Sequence, residues 1–157
     1  MAEQQIGYVE WEAWGLELVM ERGKLRKLLI VDKGRAAEAP EPEMAVARLQ
    51  LLAYLRGSAK GFTLELEPKG TRFQQDVWKA LREIPYGETL SYKQLAESIG
   101  RPMACRAVGQ AAHRNPLPIL IPCHRLVGAD GSLTGYAGGI ELKRRLLDLE
   151  RQNQEQK

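Results

Sequence analysis

Ser91-Tyr92-Lys93-Gln94-Leu95-Ala96-Glu97-Ser98-Ile99-Gly100-Arg101-Pro102 reads as one short helix closed at both ends, with a second about to begin. Ser91 followed three residues later by Gln94 is a capping box, in which the two side chains satisfy orphan amides of the first turn. Leu95, Ala96 and Ile99 supply the apolar side. Gly100 suits a C-terminal cap, because glycine enters the left-handed region without steric cost. Pro102 suits the first turn of the next helix, where a missing N–H is not needed. Helix, tight turn, helix is a helix-turn-helix pattern.

Working outward, the second helix is predicted over 103–114. It is rich in small residues: Ala104, Ala107, Gly109, Ala111 and Ala112. Such a helix packs tightly on its neighbours or lets its backbone approach a duplex, and the residues alone leave both open. Upstream, Thr71 can cap a helix through Phe73, Val77, Trp78 and Leu81 toward Ile84, and Pro85-Tyr86-Gly87 turns the chain. Downstream comes Asn115-Pro116-Leu117-Pro118-Ile119-Leu120-Ile121-Pro122-Cys123-His124-Arg125. Three prolines argue against a regular central strand. The run 119–121 is apolar enough to be buried, which puts Cys123 at the mouth of a core on a constrained loop. A thiol is a nucleophile only as thiolate, so it needs a base or a positive field nearby. His124 and Arg125 are the immediate candidates. On an extended chain their side chains alternate in direction, so a Cys123–His124 link requires a tight turn or a bridging water. The bland alternative is a buried structural cysteine beside a surface His-Arg pair.

The front of the chain reads as a small sheet with one helix. Strands are predicted over 6–11, 15–20 and 25–31, with turns at Ala13-Trp14-Gly15 and Glu21-Arg22-Gly23-Lys24. A loop from Asp32 runs through Pro40 and Pro42. From Glu43, Met44, Val46, Leu49, Leu52, Ala53 and Leu55 follow helical spacing up to Gly57. Residues 62–67 alternate like an edge strand. Pro68-Lys69-Gly70 is the best boundary, giving domains 1–70 and 71–157. The expected class is α+β: a sheet-plus-helix domain, then a winged helix-turn-helix domain.

Charge separates the halves. Residues 1–70 hold ten Lys and Arg against eleven Asp and Glu, a net of −1; residues 71–157 hold thirteen against nine, a net of +4. Between 93 and 125 the basic residues are Lys93, Arg101, Arg106, Arg114 and Arg125, opposed only by Glu97. That excess fits a surface facing a polyanion, with a solvated helical face as the alternative. No run approaches the roughly eighteen apolar residues of a membrane span, and the polar N-terminus has no signal-peptide pattern. Two cysteines without a framework point to a reducing, cytoplasmic setting; a Cys105–Cys123 disulfide is disfavoured on the same ground.

Pro122-Cys123-His124-Arg125, preceded by Asn115-Pro116 and Ile119-Leu120-Ile121, resembles the active-site signature of the O6-alkylguanine-DNA alkyltransferases, also called methylated-DNA–protein-cysteine methyltransferases. Ser91-Tyr92-Lys93-Gln94-Leu95-Ala96 resembles the family's first DNA-binding helix, and Arg106-Ala107-Val108-Gly109 its recognition helix. Gly135-Tyr136-Ala137-Gly138-Gly139 and Leu147-Asp148-Leu149-Glu150 resemble its closing loop and last helix. The likeness in order and spacing runs from 71 to 150. Some family members bind zinc in their first domain through cysteine and histidine; residues 1–70 contain neither, so no metal of that kind is expected, and no cofactor.

The resemblance implies roles. The partner is double-stranded DNA carrying O6-alkylguanine, with O4-alkylthymine as a second candidate substrate. The lesion is flipped out of the stack, Arg106 takes its place, and Tyr92 contacts the flipped nucleotide and assists its protonation. Cys123 attacks the alkyl carbon, His124 takes the thiol proton through a water, and Glu150 orients His124. Asn115 braces the loop. Arg125, Tyr136, Ala137 and Lys143 belong to the substrate and DNA surface. Many members carry a serine where Ala137 stands, so its hydroxyl contact to O6 is lost here. With no second nucleophile to remove the thioether, transfer is expected once per chain, by a monomer in the cytoplasm or on the nucleoid. The competing readings are a winged-helix regulator and a lesion-binding relative without transfer, although relatives of that second kind replace the cysteine. A Cys-His hydrolase using His124 or His113, and a metal site from Cys105, His113, Cys123 and His124, fit the spacing poorly.

Overall fold

Period-two patterning builds the first unit. In the computed structural model, which describes residues 4–35, 42–136 and 138–155, β1 (Gln4–Trp11), β2 (Trp14–Glu21) and β3 (Lys24–Val31) form an antiparallel sheet in the order β1-β2-β3. Arg22 and Gly23 join β2 to β3 with both φ angles positive, 53° and 77°, the twist-matched turn of a two-residue hairpin. The first hairpin turns at Glu12-Ala13, one step before the expected site. Trp11 pairs with Trp14 across the ladder and their rings stack at 5.8 Å, so Trp14 opens a strand instead of sitting in the turn.

Helix α1 (Pro42–Leu55) buries Met44, Ala47, Leu51 and Leu55. These lie against β1, where Gly7 leaves room for the Met44 side chain. Arg48 Nε also donates to the Tyr8 carbonyl at 2.9 Å. The edge strand expected over 62–67 is a single bridge. Leu25 N donates to Glu65 O at 2.9 Å, Glu67 N donates to Leu25 O at 2.8 Å, and nothing continues the ladder. The Gln50 side chain claims Thr63 instead, accepting from its amide at 2.9 Å and donating to its hydroxyl at 2.8 Å. The loop expected through Pro40 falls largely outside the described residues.

The chain divides into two compact units, Met1–Lys69 and Gly70–Lys157. In the second, α2 (Arg72–Arg82) opens on a capping box of Thr71 and Gln74 and ends before Ile84. Strand β4 (Leu90–Ser91) leads into α3 (Tyr92–Ser98), which opens on the Ser91–Gln94 capping box. At its end Gly100 adopts φ 74°. Its amide donates to Glu97 O at 3.0 Å and that of Arg101 to Ala96 O at 2.9 Å, the paired bonds of a Schellman cap. Helix α4 (Cys105–His113) begins later than the expected 103. Residues 101–104 close a turn of their own, with Ala104 N donating to Arg101 O at 3.0 Å, and Ala104 has no side chain that caps. Trp78 Nε1 donates to Ala111 O at 2.9 Å and pins α4 to α2. A 3-10 turn (Cys123–Arg125), β5 (Leu126–Val127) paired in parallel with β4, and α5 (Ile140–Glu155) complete the unit. The architecture is α+β, a sheet-plus-helix unit followed by a helical unit containing the helix-turn-helix.

Candidate active site

The loop after α4 is held by one side chain. Asn115 Oδ1 accepts from Leu117 N at 2.9 Å, while Nδ2 donates to Ile121 O at 2.9 Å and to Cys123 Sγ at 3.2 Å. Asn115 thus fixes the loop and touches the sulfur directly. Ile119 sits at φ 75°, a left-handed conformation that costs a β-branched residue about 1–3 kcal/mol and persists only where packing over-determines it. Here Ile119 is buried, and Ile121 N donates to Leu117 O at 2.8 Å. Leu117, Ile119, Leu120 and Ile121 are all core residues, as the apolar run required. The loop then enters the 3-10 turn with Cys123 first. This is the tight turn that the adjacency of Cys123 and His124 called for.

Cys123 is 7% exposed. Burial pushes its thiol up to about 11, against the Asn115 hydrogen bond and the charge of Lys143, which both pull it down. At rest it is therefore a thiol, since its pKa lies well above neutrality. Transfer near neutrality needs a base that takes the proton during attack.

His124 is the next residue of the turn. It is fully buried, and its Nε2 lies 2.7 Å from Glu150 Oε2. Glu150 is fully buried on α5 and accepts at both oxygens. Arg125 donates Nε to Oε1 and Nη2 to Oε2, each at 2.9 Å, and Gly87 N donates to Oε1 at 3.0 Å. Burial alone would raise the carboxyl; the bonds and charges of His124 and Arg125 outweigh it and hold Glu150 well below the usual carboxylate range. An ionised carboxylate only accepts, so His124 carries its proton on Nε2 and its lone pair on the buried Nδ1. Burial lowers the imidazole pKa further than Glu150 raises it, which keeps His124 neutral and able to accept.

Arg125 corrects the sequence reading. It was expected on the DNA surface, but it is 8% exposed, pairs bidentately with Glu150, donates Nη1 to Ile84 O at 2.7 Å and packs over the Tyr86 ring at 5.7 Å. Its charge is consumed inside the fold. Lys143 is 1% exposed and donates Nζ to Leu126 O at 2.6 Å and Thr134 O at 3.3 Å. It ties α5 to β5 and to the loop before Tyr136, and burial lowers its pKa against the pull of Cys123.

A cleft opens over the thiol, lined by Tyr92, Gly109, Ala112, His113, Asn115, Cys123, Gly135 and Tyr136. The structure brings together Cys123, His124, Glu150, Asn115, Tyr92, Tyr136 and Lys143 of the predicted set. Arg106 is exposed on α4, beside Ala107 and Gln110. Ala137 lies outside the described residues. Sequence reasoning missed Gly87, whose turn was legible but not its service to Glu150. It also missed Thr134, whose hydroxyl is hydrogen-bonded to that of Tyr92; nothing in the local sequence marks that contact.

Residues 72–152 match the family model described as 6-O-methylguanine DNA methyltransferase, DNA binding domain. The methylated-DNA–protein-cysteine methyltransferase of Methanosarcina barkeri is 59% identical over 107 residues, 68% of either chain. The constitutive enzyme of that name from Bacillus subtilis is 54% identical over 111 residues, 70% of this chain and 67% of the relative. Mycobacterium tuberculosis OGT, solved in complex with DNA, superposes with a TM-score of 0.84 at 45% identity, covering 93% of this chain and 92% of that one. The chain belongs to the 6-O-methylguanine DNA methyltransferase family.

Proposed function

We infer that this protein repairs DNA by moving the alkyl group of O6-alkylguanine onto Cys123, irreversibly and once per chain. The observation that carries the reading is a buried thiol held by Asn115 and followed directly by a neutral His124 whose tautomer Glu150 fixes. Helix α4 reads the duplex from the minor groove, Arg106 fills the place of the extruded base, and Tyr92 and Tyr136 receive that base over the thiol. As sulfur attacks the alkyl carbon, the S–C bond forms and the C–O6 bond breaks. Its electron pair passes into the guanine ring, and the thiol proton, taken up by His124, balances the proton that guanine regains. This is the base-plus-orienting-group logic of catalytic triads. A free, unoxidised thiol suits the reducing cytoplasm or nucleoid. Incubation with a duplex containing O6-methylguanine, followed by intact-protein mass spectrometry, tests the reading: one added methyl group per chain is expected. Lesion binding without any mass change would favour a non-catalytic DNA-binding role.

DNA affinity should be largely electrostatic. With Arg125 turned inward, the exposed basic residues of the helix-turn-helix are Lys93, Arg101, Arg106 and Arg114. If three or four of them meet phosphates, log K against log salt should have a slope of about −2.7 to −3.6. A salt titration on undamaged duplex measures it, and a slope near zero would remove α3 and α4 as the DNA face.

Arg106→Ala should slow repair in duplex DNA about 10- to 100-fold, since flipping costs a few kcal/mol and the arginine offsets part of it. Transfer from free O6-benzylguanine, which needs no flipping, should change little. Equal losses on both substrates would assign Arg106 to the fold or the pocket.

A further inference from the structure

We propose that Thr134 gates this site: its hydroxyl is bonded to that of Tyr92 beside the cleft, and a base that draws on the Tyr92 phenol must displace that bond. The proposal rests on the alkyl-transfer reading above.

The cleft has two walls. One comes from α3 and α4 and presents Tyr92, Gly109, Ala112 and His113; the other is the loop carrying Gly135 and Tyr136. Cys123 and Asn115 are buried between them. The Tyr92 hydroxyl and Thr134 Oγ1 are hydrogen-bonded to each other, so one bond joins the two walls. Neither end is loose. Tyr92 is the first residue of α3, and its ring runs beside α4 closely enough that a Cβ at position 109 would stand 3.5 Å from Cε1. Thr134 is held from behind through its carbonyl, which accepts from buried Lys143 at 3.3 Å.

A base entering this cleft exchanges partners. The Tyr92 phenol gives up Thr134 and donates to an acceptor on the base edge. A base with an acceptor at that point restores the bond; one without leaves a half-buried phenol unpaired. The closed arrangement also taxes every substrate, because apparent affinity falls by the fraction of molecules whose mouth is open.

The test is single-turnover alkylation of the full-length protein by free O6-benzylguanine over a range of concentrations. Thr134→Val keeps the shape and removes the hydroxyl. It should lower the half-saturating concentration about 2- to 12-fold, the range carried by one net hydrogen bond, with the limiting rate changed far less. Thr134→Ser should restore wild-type behaviour. Tyr92→Phe removes the same bond from the other side but also the donor to the base, so its half-saturation should fall less than that of Thr134→Val, together with a slower limiting rate, because the phenol donor is lost. Half-saturation in Thr134→Val equal to or above that of an active wild type, or no rescue by serine, would overturn the proposal and leave alkyl transfer standing. A wild-type protein that takes neither a benzyl group from the free base nor a methyl group from O6-methylguanine duplex onto Cys123 would overturn both.

Discussion

Excess O6-methylguanine duplex should add one methyl group to each chain, on Cys123, after which activity ends; Cys123→Ala should bind the same duplex and transfer nothing. The expectation follows from which thiol is equipped to react. Cys123 Sγ receives a hydrogen bond from Asn115 and stands next to a histidine kept neutral and oriented by a buried carboxylate. Cys105, the other cysteine, is the first residue of α4 and has no hydrogen bond to a base among the described residues. Both thiols are free, so no disulfide protects one of them. The thioether product is stable because a neutral thioether is a poor target for nucleophiles. Cys105→Ala should therefore transfer at the wild-type rate. Intact-protein mass spectrometry with peptide mapping reads the wild type and both variants. Repeated turnover, a label on Cys105, or transfer by Cys123→Ala would sink the mechanism.

The features legible in the sequence are mostly those that close locally. Both capping boxes and the glycine cap lie within a few residues of the groups they satisfy, so Thr71, Gln74, Ser91, Gln94 and Gly100 behave as their spacing requires. The Asn-Pro and proline punctuation likewise announced a constrained loop ending at a thiol. The misreadings at Arg125 and over 62–67 depend on partners distant in sequence. Arg125 looked like surface charge because only its neighbours were visible; Glu150, twenty-five positions on, claims it. The strand expected over 62–67 gave way because Gln50 satisfies Thr63 from a helix. Thr134 could not be singled out because its partner Tyr92 lies 42 positions away. One correction changes the chemistry: with Arg125 inside, a positive charge braces Glu150 from one side while His124 holds the other. The carboxylate stays ionised although fully buried.

That bracing makes the relay sharply testable. His124→Ala should slow transfer by about 10² to 10⁴, the usual worth of general-base assistance, while DNA binding stays near wild type. It is the cleaner variant, because the Arg125–Glu150 pair survives it. Glu150→Gln should slow transfer comparably. It also leaves the Arg125 guanidinium buried without a charged partner, which costs about 3–5 kcal/mol of stability, on top of the loss of the His124 bond that both variants share, so its melting curve should shift downward as well. The pH dependence carries the sign. In the wild type the neutral imidazole accepts the thiol proton, so the rate should be level near neutrality and fall only on acidification, as His124 gains a proton below its ordinary range. Without His124 the thiol must ionise by itself. With its pKa pushed up to about 11, the ionised fraction grows tenfold per pH unit below that value. The rate of His124→Ala should therefore climb steadily through alkaline pH, and the gap to wild type should narrow. Thiol alkylation by a small electrophile, followed against pH in both proteins, measures this without DNA. Identical profiles would mean that Cys123 is activated by Asn115 and Lys143 alone, and that the His124–Glu150 pair serves only to hold α5 against the active-site turn.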